Sequence, residues 1–321
     1  MAKLVFLSFL AVSLCAGETI RVAHKWADSV GIYDAGSGQS IAVIPVGKKP
    51  HELALSPDLR LAYVTNYGLD LYTETAPGGN TLSIVDLKLR QTIGEIDLGK
   101  FRRPHGIERG ASGKLYVTCD LPPSLVVVDP LTRRILRSID VGQALPHIVA
   151  LTEREDKAYT VNSGAGTVTA IDLRAGKAVK HIRIDGVPMG LALSPDGRRV
   201  YAANRTGDAV AVIDTRRDQL ITKIQIPGQP VRLLLTPDKK HLLVSLIEAG
   251  DLAVLSLETN KVVRRFHAGA RVEGMGVDAA GRFGYISAQA DNKVVKFSLA
   301  DWKPVLEIKT AARPDPIAVL P

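Results

Sequence analysis

Three of the seven histidines share one local pattern: Pro50-His51, Pro104-His105 and Pro146-His147. Neutral imidazole is a common transition-metal ligand, and its protonation changes closest to neutral pH. Three imidazoles drawn together from separate segments, with a carboxylate or water completing the shell, would suit Zn, Cu, Fe or Ni. Equivalent points further along the chain read Pro188-Met189, Pro230-Val231, Val272-Glu273 and Pro314-Asp315. His51, His105, His147, Asp315 and Glu273 therefore form a candidate set for a divalent transition metal, with Asp315 or Glu273 as ligand or general base. A plainer reading stands beside it. Repeats copy residues by duplication, and a histidine at a strand start can simply hydrogen-bond the neighbouring unit.

The elements that must position these residues follow from a repeat. An alternating apolar strand ending in Asp or Ser recurs at Asp34, Asp86, Asp129, Asp172, Asp214, Ser256 and Ser298, with spacings of 52, 43, 43, 42, 42 and 42 residues. Each copy contains four short strands of period two and no helical period. Between Pro188 and Gly228 these are MGLALS, RVYAAN, AVAVID and LITKIQI, with the first pair joined by the tight turn SPDG. Four antiparallel strands in seven copies predict an all-β, seven-bladed β-propeller. The segment from Ile20 aligns with a second strand, and the missing first strand recurs at Pro314–Pro321. The C-terminal strand should therefore complete the N-terminal blade and leave the ring without a free edge.

AYVTN at Ala62–Asn66, LYVTC at Leu115–Cys119 and VYAAN at Val200–Asn204, with SPDG and VID, resemble the YVTN-repeat propellers. The resemblance spans the chain after residue 17 and implies the fold. It implies no single function, because propellers of this appearance include secreted surface proteins, lactonase-like enzymes and the propeller domains of nitrous oxide reductase and heme-containing nitrite reductases.

In this topology the loops between second and third strands share the upper face with the blade-to-blade connections, where the central channel opens. The one insertion, Tyr67–Gly79, lies there and offers Tyr67, Asp70, Tyr72 and Glu74 as a ligand-binding lip; a tolerated surface loop is the alternative. Cys119, on the same face, reads as a small buried residue or a soft ligand. His24 holds the corresponding position in the first blade and reads as solvent-exposed. The strand-terminal aspartates read as turn caps.

The 41 Lys and Arg against 33 Asp and Glu give a formal charge of +8. The basic turns, among them Arg133-Arg134 and Arg216-Arg217, are interleaved with acids and lack aromatics, so nucleic-acid binding has charge alone in its favour. There is no C-x-x-C-H for covalent heme, no G-x-S-x-G elbow and no P-loop. Residues 1–17, with Lys3, an apolar run and then small residues, read as a secretory leader. Leu14 disfavours the lipid-anchor reading of Cys15. These features predict a periplasmic or secreted propeller, residues 18–321, that binds a ligand or protein partner on its upper face without catalysis. The alternatives are a metal-dependent lactonase- or lyase-type enzyme with a histidine-ring site, and periplasmic nucleic-acid binding.

Overall fold

The computed structural model describes residues 17–321; the predicted leader, with Cys15, lies outside them apart from Gly17. All 28 strands fall into seven antiparallel sheets of four, arranged as a ring. The expected propeller is present. The strand Pro314–Leu320 pairs with Thr19–His24, placing Leu320 opposite Thr19 and Ile317 opposite Val22, and so closes the ring inside the first blade.

Blades bind one another through faces that the strand alternation makes apolar. Val161, Val168 and Ile184 of blade four pack on Val200, Ala202 and Ile213 of blade five. Burying side chains of this size is worth about 1.5–3 kcal/mol each. The tyrosines of the repeated pattern, Tyr116 and Tyr159 among them, are buried along their rings. Their hydroxyls donate to Glu155 and Asp218 on the next blade. The third-strand aspartates behave as turn caps: Asp86 accepts from the amides of Lys88 and Leu89, and Asp214 from those of Arg216 and Arg217.

The innermost strands carry the feature that shapes the channel. Pairing between first and second strands shifts register after the opening residue, as at Pro50/Leu53, Pro104/Ile107 and Pro230/Leu233. Such an irregularity leaves backbone groups without ladder partners and re-aims the side chains on it. A buried hydroxyl from the second strand supplies the missing partner. Thr65 accepts from the Glu52 amide and donates to the His105 carbonyl of the next blade. Thr118 accepts from the Gly106 amide and donates to the His147 carbonyl. The threonine of the repeated pattern thus joins adjacent blades at the point where the histidines stand.

Candidate functional site

Strand equivalence sets three tiers of residues at the upper end of the innermost strands, one from each blade at each level. The uppermost follows the second strands: Lys25, Tyr67, Asp120, Ser163, Arg205, Ile247 and Gln289. Below it stand the residues singled out by sequence: Asp315, His51, His105, His147, Met189, Val231 and Glu273. One residue further along each first strand come Pro316, Glu52, Gly106, Ile148, Gly190, Arg232 and Gly274. The glycines of this third tier are required by close approach. A Cβ on Gly106 would meet the His147 carbonyl, one on Gly190 the Val231 carbonyl, and one on Gly274 the Asp315 carbonyl. Large and absent side chains alternate around a narrow ring.

The three histidines do come together. His51 and His105 rings are 4.4 Å apart between centroids at 69°, and His105 and His147 are 3.7 Å apart at 35°. The second contact is a stack, whereas metal ligation needs ring nitrogens converging on one point. Among the described residues no group of three or more His, Cys, Asp or Glu side chains is arranged to hold an ion. His147 Nδ1 lies 2.7 Å from the Met189 carbonyl and His51 Nδ1 3.3 Å from the Lys49 carbonyl. A carbonyl only accepts, so these nitrogens carry the hydrogens and Nε2 is left unprotonated. His105 Nδ1 is buried without a partner. Burial holds all three neutral, with His147 pushed down to about 3.

Asp315 and Glu273 pair with cations, although Glu273 also lies near enough to His147 for their charges to interact. Lys25 pairs with Asp315 and lies 4.0 Å from Glu273. Arg232 pairs with Glu52 and lies 3.9 Å from Glu273 and 3.7 Å from Asp315. Two cations thus meet three carboxylates in a buried knot. Burial raises Glu52 to about 7 against the pull of Arg232. Burial also raises Asp315, with Glu273 beside it adding to the effect. For Glu273 burial acts upward too, but Lys25 and Arg232 hold it below its ordinary value. Glu52, Lys25 and Arg232 escaped the sequence reading. The signal for Glu52 and Arg232 lay one column beyond the histidines, where they are the two charged residues among glycines, a proline and an isoleucine.

The predicted lip splits into two behaviours. Tyr67 is not a surface residue: it is 1% exposed, stacks on His51 at 4.6 Å and donates to Asp120 at 2.7 Å. Asp120 is raised to about 7 by burial. Asp70 pairs with Lys49 at 2.7 Å, and Glu74 accepts from the amides of Asp70 and Leu71 inside its own loop. Arg103 anchors the loop from below through the carbonyls of Glu74 and Ala76. Tyr72 alone of the four presents a largely free side chain, beside the exposed Leu71. His24 departs from its expected exposure. It is fully buried between Ser29 and Tyr33, because the closing strand covers it, and burial pushes it down to about 4. Cys119 is buried in an aliphatic cluster that raises its thiol well above the ordinary value, which favours the reading as a packing residue.

The lower half of the channel is different. A cavity of about 500 Å³ opens between the first strands, walled by Leu53, Ile107, Val149, Leu191, Leu233 and Ile317, with Glu52 and Arg232 among its lining. These six aliphatics stand at equivalent positions, two residues after the histidine tier. Glu108 and Arg109 also line the cavity, and Leu59 leans in from a lower-face turn.

A family model described as the cytochrome D1 heme domain matches residues 114–320, and the chain belongs to that family. No curated protein matches it by sequence. Among solved structures it is similar to Kuenenia stuttgartiensis hydrazine synthase, at 19% identity over 87% of this chain and 92% of that one, TM-score 0.77. A functionally unknown protein from Desulfotomaculum acetoxidans DSM 771 is 15% identical over 94% and 98%, TM-score 0.77. Dihydro-heme d1 dehydrogenase NirN in complex with DHE is 15% identical over 93% of this chain and 74% of that one, TM-score 0.68. At these identities the structural likenesses establish the fold.

A heme needs a flat slot, an axial donor aimed into it and cations for its carboxylates. The upper channel has imidazoles but no slot, since Tyr67 and the three histidine rings touch in sequence. The lower cavity has room and two arginines, Arg109 and Arg232, but no imidazole to serve as an axial donor, and its lining also carries Glu52 and Glu108. The residues of this channel do not fit a heme.

Proposed function

Taking membership of the cytochrome D1 heme domain family as premise, we propose that this chain is an exported, non-catalytic propeller that takes a small organic ligand into the lower mouth of its central channel. The observation that carries this reading is the aliphatic cavity whose lining includes the Glu52–Arg232 pair. Pockets for small molecules are concave, mostly apolar and supplied with a few placed polar groups, which is the composition here. The upper tiers act as a plug. They hold the first strands in register and close the channel above the ligand.

An uncharged apolar fluorophore such as Nile red tests the reading. It should bind with one-to-one stoichiometry and a blue shift, and Ala318→Trp, which fills the cavity wall, should abolish binding while leaving the melting temperature within about 2 °C. Absence of binding, or binding indifferent to Ala318→Trp, would overturn it.

A second reading is favoured by the exposed pair Leu71 and Tyr72 on the pinned loop, at 58% and 39%. Here the upper face docks a protein partner. Replacing both by Ser should leave stability unchanged and remove partner capture. Equal capture by the double variant would discard it.

A further inference from the structure

The fourth column of the first strands reads Ala54, Glu108, Ala150, Ala192, Leu234, Gly276 and Ala318: six small or apolar residues and one carboxylate. We infer that the lower cavity is a site for a small apolar amine in its ammonium form, with Glu108 as the counter-ion. This rests on the cavity being a ligand site and adds the chemistry of the ligand.

Three observations converge. First, the other carboxylates of the channel already have partners: Glu52, Asp315 and Glu273 share Lys25 and Arg232, and Asp120 accepts from the Tyr67 hydroxyl. Glu108 has no such partner among the described residues. Burial raises it to about 8, opposed only by the Leu151 amide. The other charged groups on the cavity wall are Glu52 and Arg232, paired with each other, and Arg109, which keeps its charge while donating to the Gly110 carbonyl; none of them pulls Glu108 down. Glu108 is therefore the acid on this wall that a cationic ligand can pair with. Second, the surrounding wall is hydrocarbon from six blades, which matches the apolar body of an amine and excludes water from an ion pair, strengthening it. Third, Leu59 lines the cavity from a turn where its φ is +58°. The equivalent turns of blades three, five and seven place Gly113, Gly197 and Gly281 there, and those of blades four and six Glu155 and Lys239. Leu59 is the one apolar side chain among these six turn positions. Leu59 extends the apolar wall to the mouth, 41% exposed.

Pairing with an ammonium needs the carboxylate form, so binding releases a proton wherever free Glu108 is protonated. Affinity for an amine should rise up to tenfold per pH unit below about 8 and flatten above it, until the amine itself deprotonates near pH 10. A neutral isostere has no such dependence.

The test is titration calorimetry of the full chain with cyclohexylmethylamine and with cyclohexylmethanol, at pH 7.0 and 8.5, in buffers of different ionisation heat. The amine should bind at least tenfold tighter than the alcohol and release close to one proton at pH 7.0. Glu108→Gln should reduce the two to within threefold, with alcohol binding intact as proof of fold. Equal binding of both probes to the natural chain, or an amine preference that survives Glu108→Gln, overturns the inference and leaves the cavity a neutral-ligand site. If neither probe binds the natural chain, the ligand-site reading falls with it.

Discussion

The two halves of the channel are built from the same seven strands and behave in opposite ways. Above, imidazole, guanidinium, ammonium and carboxylate groups meet within a few ångströms, and each carboxylate has Lys25, Arg232 or the Tyr67 hydroxyl as a partner. Below, two residues further along each strand, the lining turns to aliphatic side chains with one unmatched carboxylate. The difference teaches that richness in chemically capable residues is a poor guide to where a ligand sits. The upper groups satisfy one another and fill their own space, whereas the lower ones leave room and an open charge.

Breaking the upper half should cost most. Arg232→Met leaves Glu52, Glu273 and Asp315 with Lys25 alone, and removing one partner from a buried ion cluster costs about 3–5 kcal/mol. Thermal unfolding should fall on the order of 10 °C. A drop below 2 °C would mean the knot is already hydrated and is not a plug. The inter-blade hydroxyl comes next. Thr118→Val strands the Gly106 amide and the His147 carbonyl, each in a buried setting, and should cost about 1–3 kcal/mol in denaturant unfolding. An unchanged midpoint would remove the threonine from its linking role.

The lower half should respond in the opposite direction. Glu108 has a folded-state value raised above its unfolded one, so its contribution to stability is fully present below about pH 4.5 and is lost as pH rises toward 8. Glu108→Gln escapes that loss. The variant should therefore gain on the natural chain between pH 5 and 8, by at most about 1.4 kcal/mol per pH unit. A gap that stays flat with pH would place Glu108 in water. The smallest effect belongs to Leu59→Gly. It relieves a left-handed leucine and should leave stability within about 1 kcal/mol of the natural chain, while weakening apolar ligands severalfold in the calorimeter. Heme added to the purified protein should produce no one-to-one spectral complex; a saturable complex quenched by His→Ala at 51, 105 or 147 would contradict the mismatch argued above.

The fold was legible in the sequence because a 42-residue repeat and period-two alternation determine blade number, strand order and closure. The histidine tier was legible for the same reason, since equivalent positions in a repeat occupy equivalent places in a ring. What those histidines do was not legible. Their stacking depends on the register shift after each opening proline, and nothing in Pro50-His51 announces that shift. Lys25 was hidden because its partner Asp315 lies on the closing strand and Glu273 on the last blade, both joined to the first blade only when the ring closes. Tyr67 read as a surface lip because it begins an insertion, yet its hydroxyl turns inward to Asp120. The lower cavity had a visible trace in Glu108, the single acid in a column otherwise of alanine, leucine and glycine, but a column shows no volume.

The central claim is that the upper half is a plug and the lower half a site. A crystal of the full chain soaked with cyclohexylmethylamine tests it most directly. The account predicts one molecule between the first strands, its nitrogen within hydrogen-bond distance of the Glu108 carboxylate and its ring against Leu191 and Ile317. Density among His51, His105 and His147, with an empty lower channel, would contradict it.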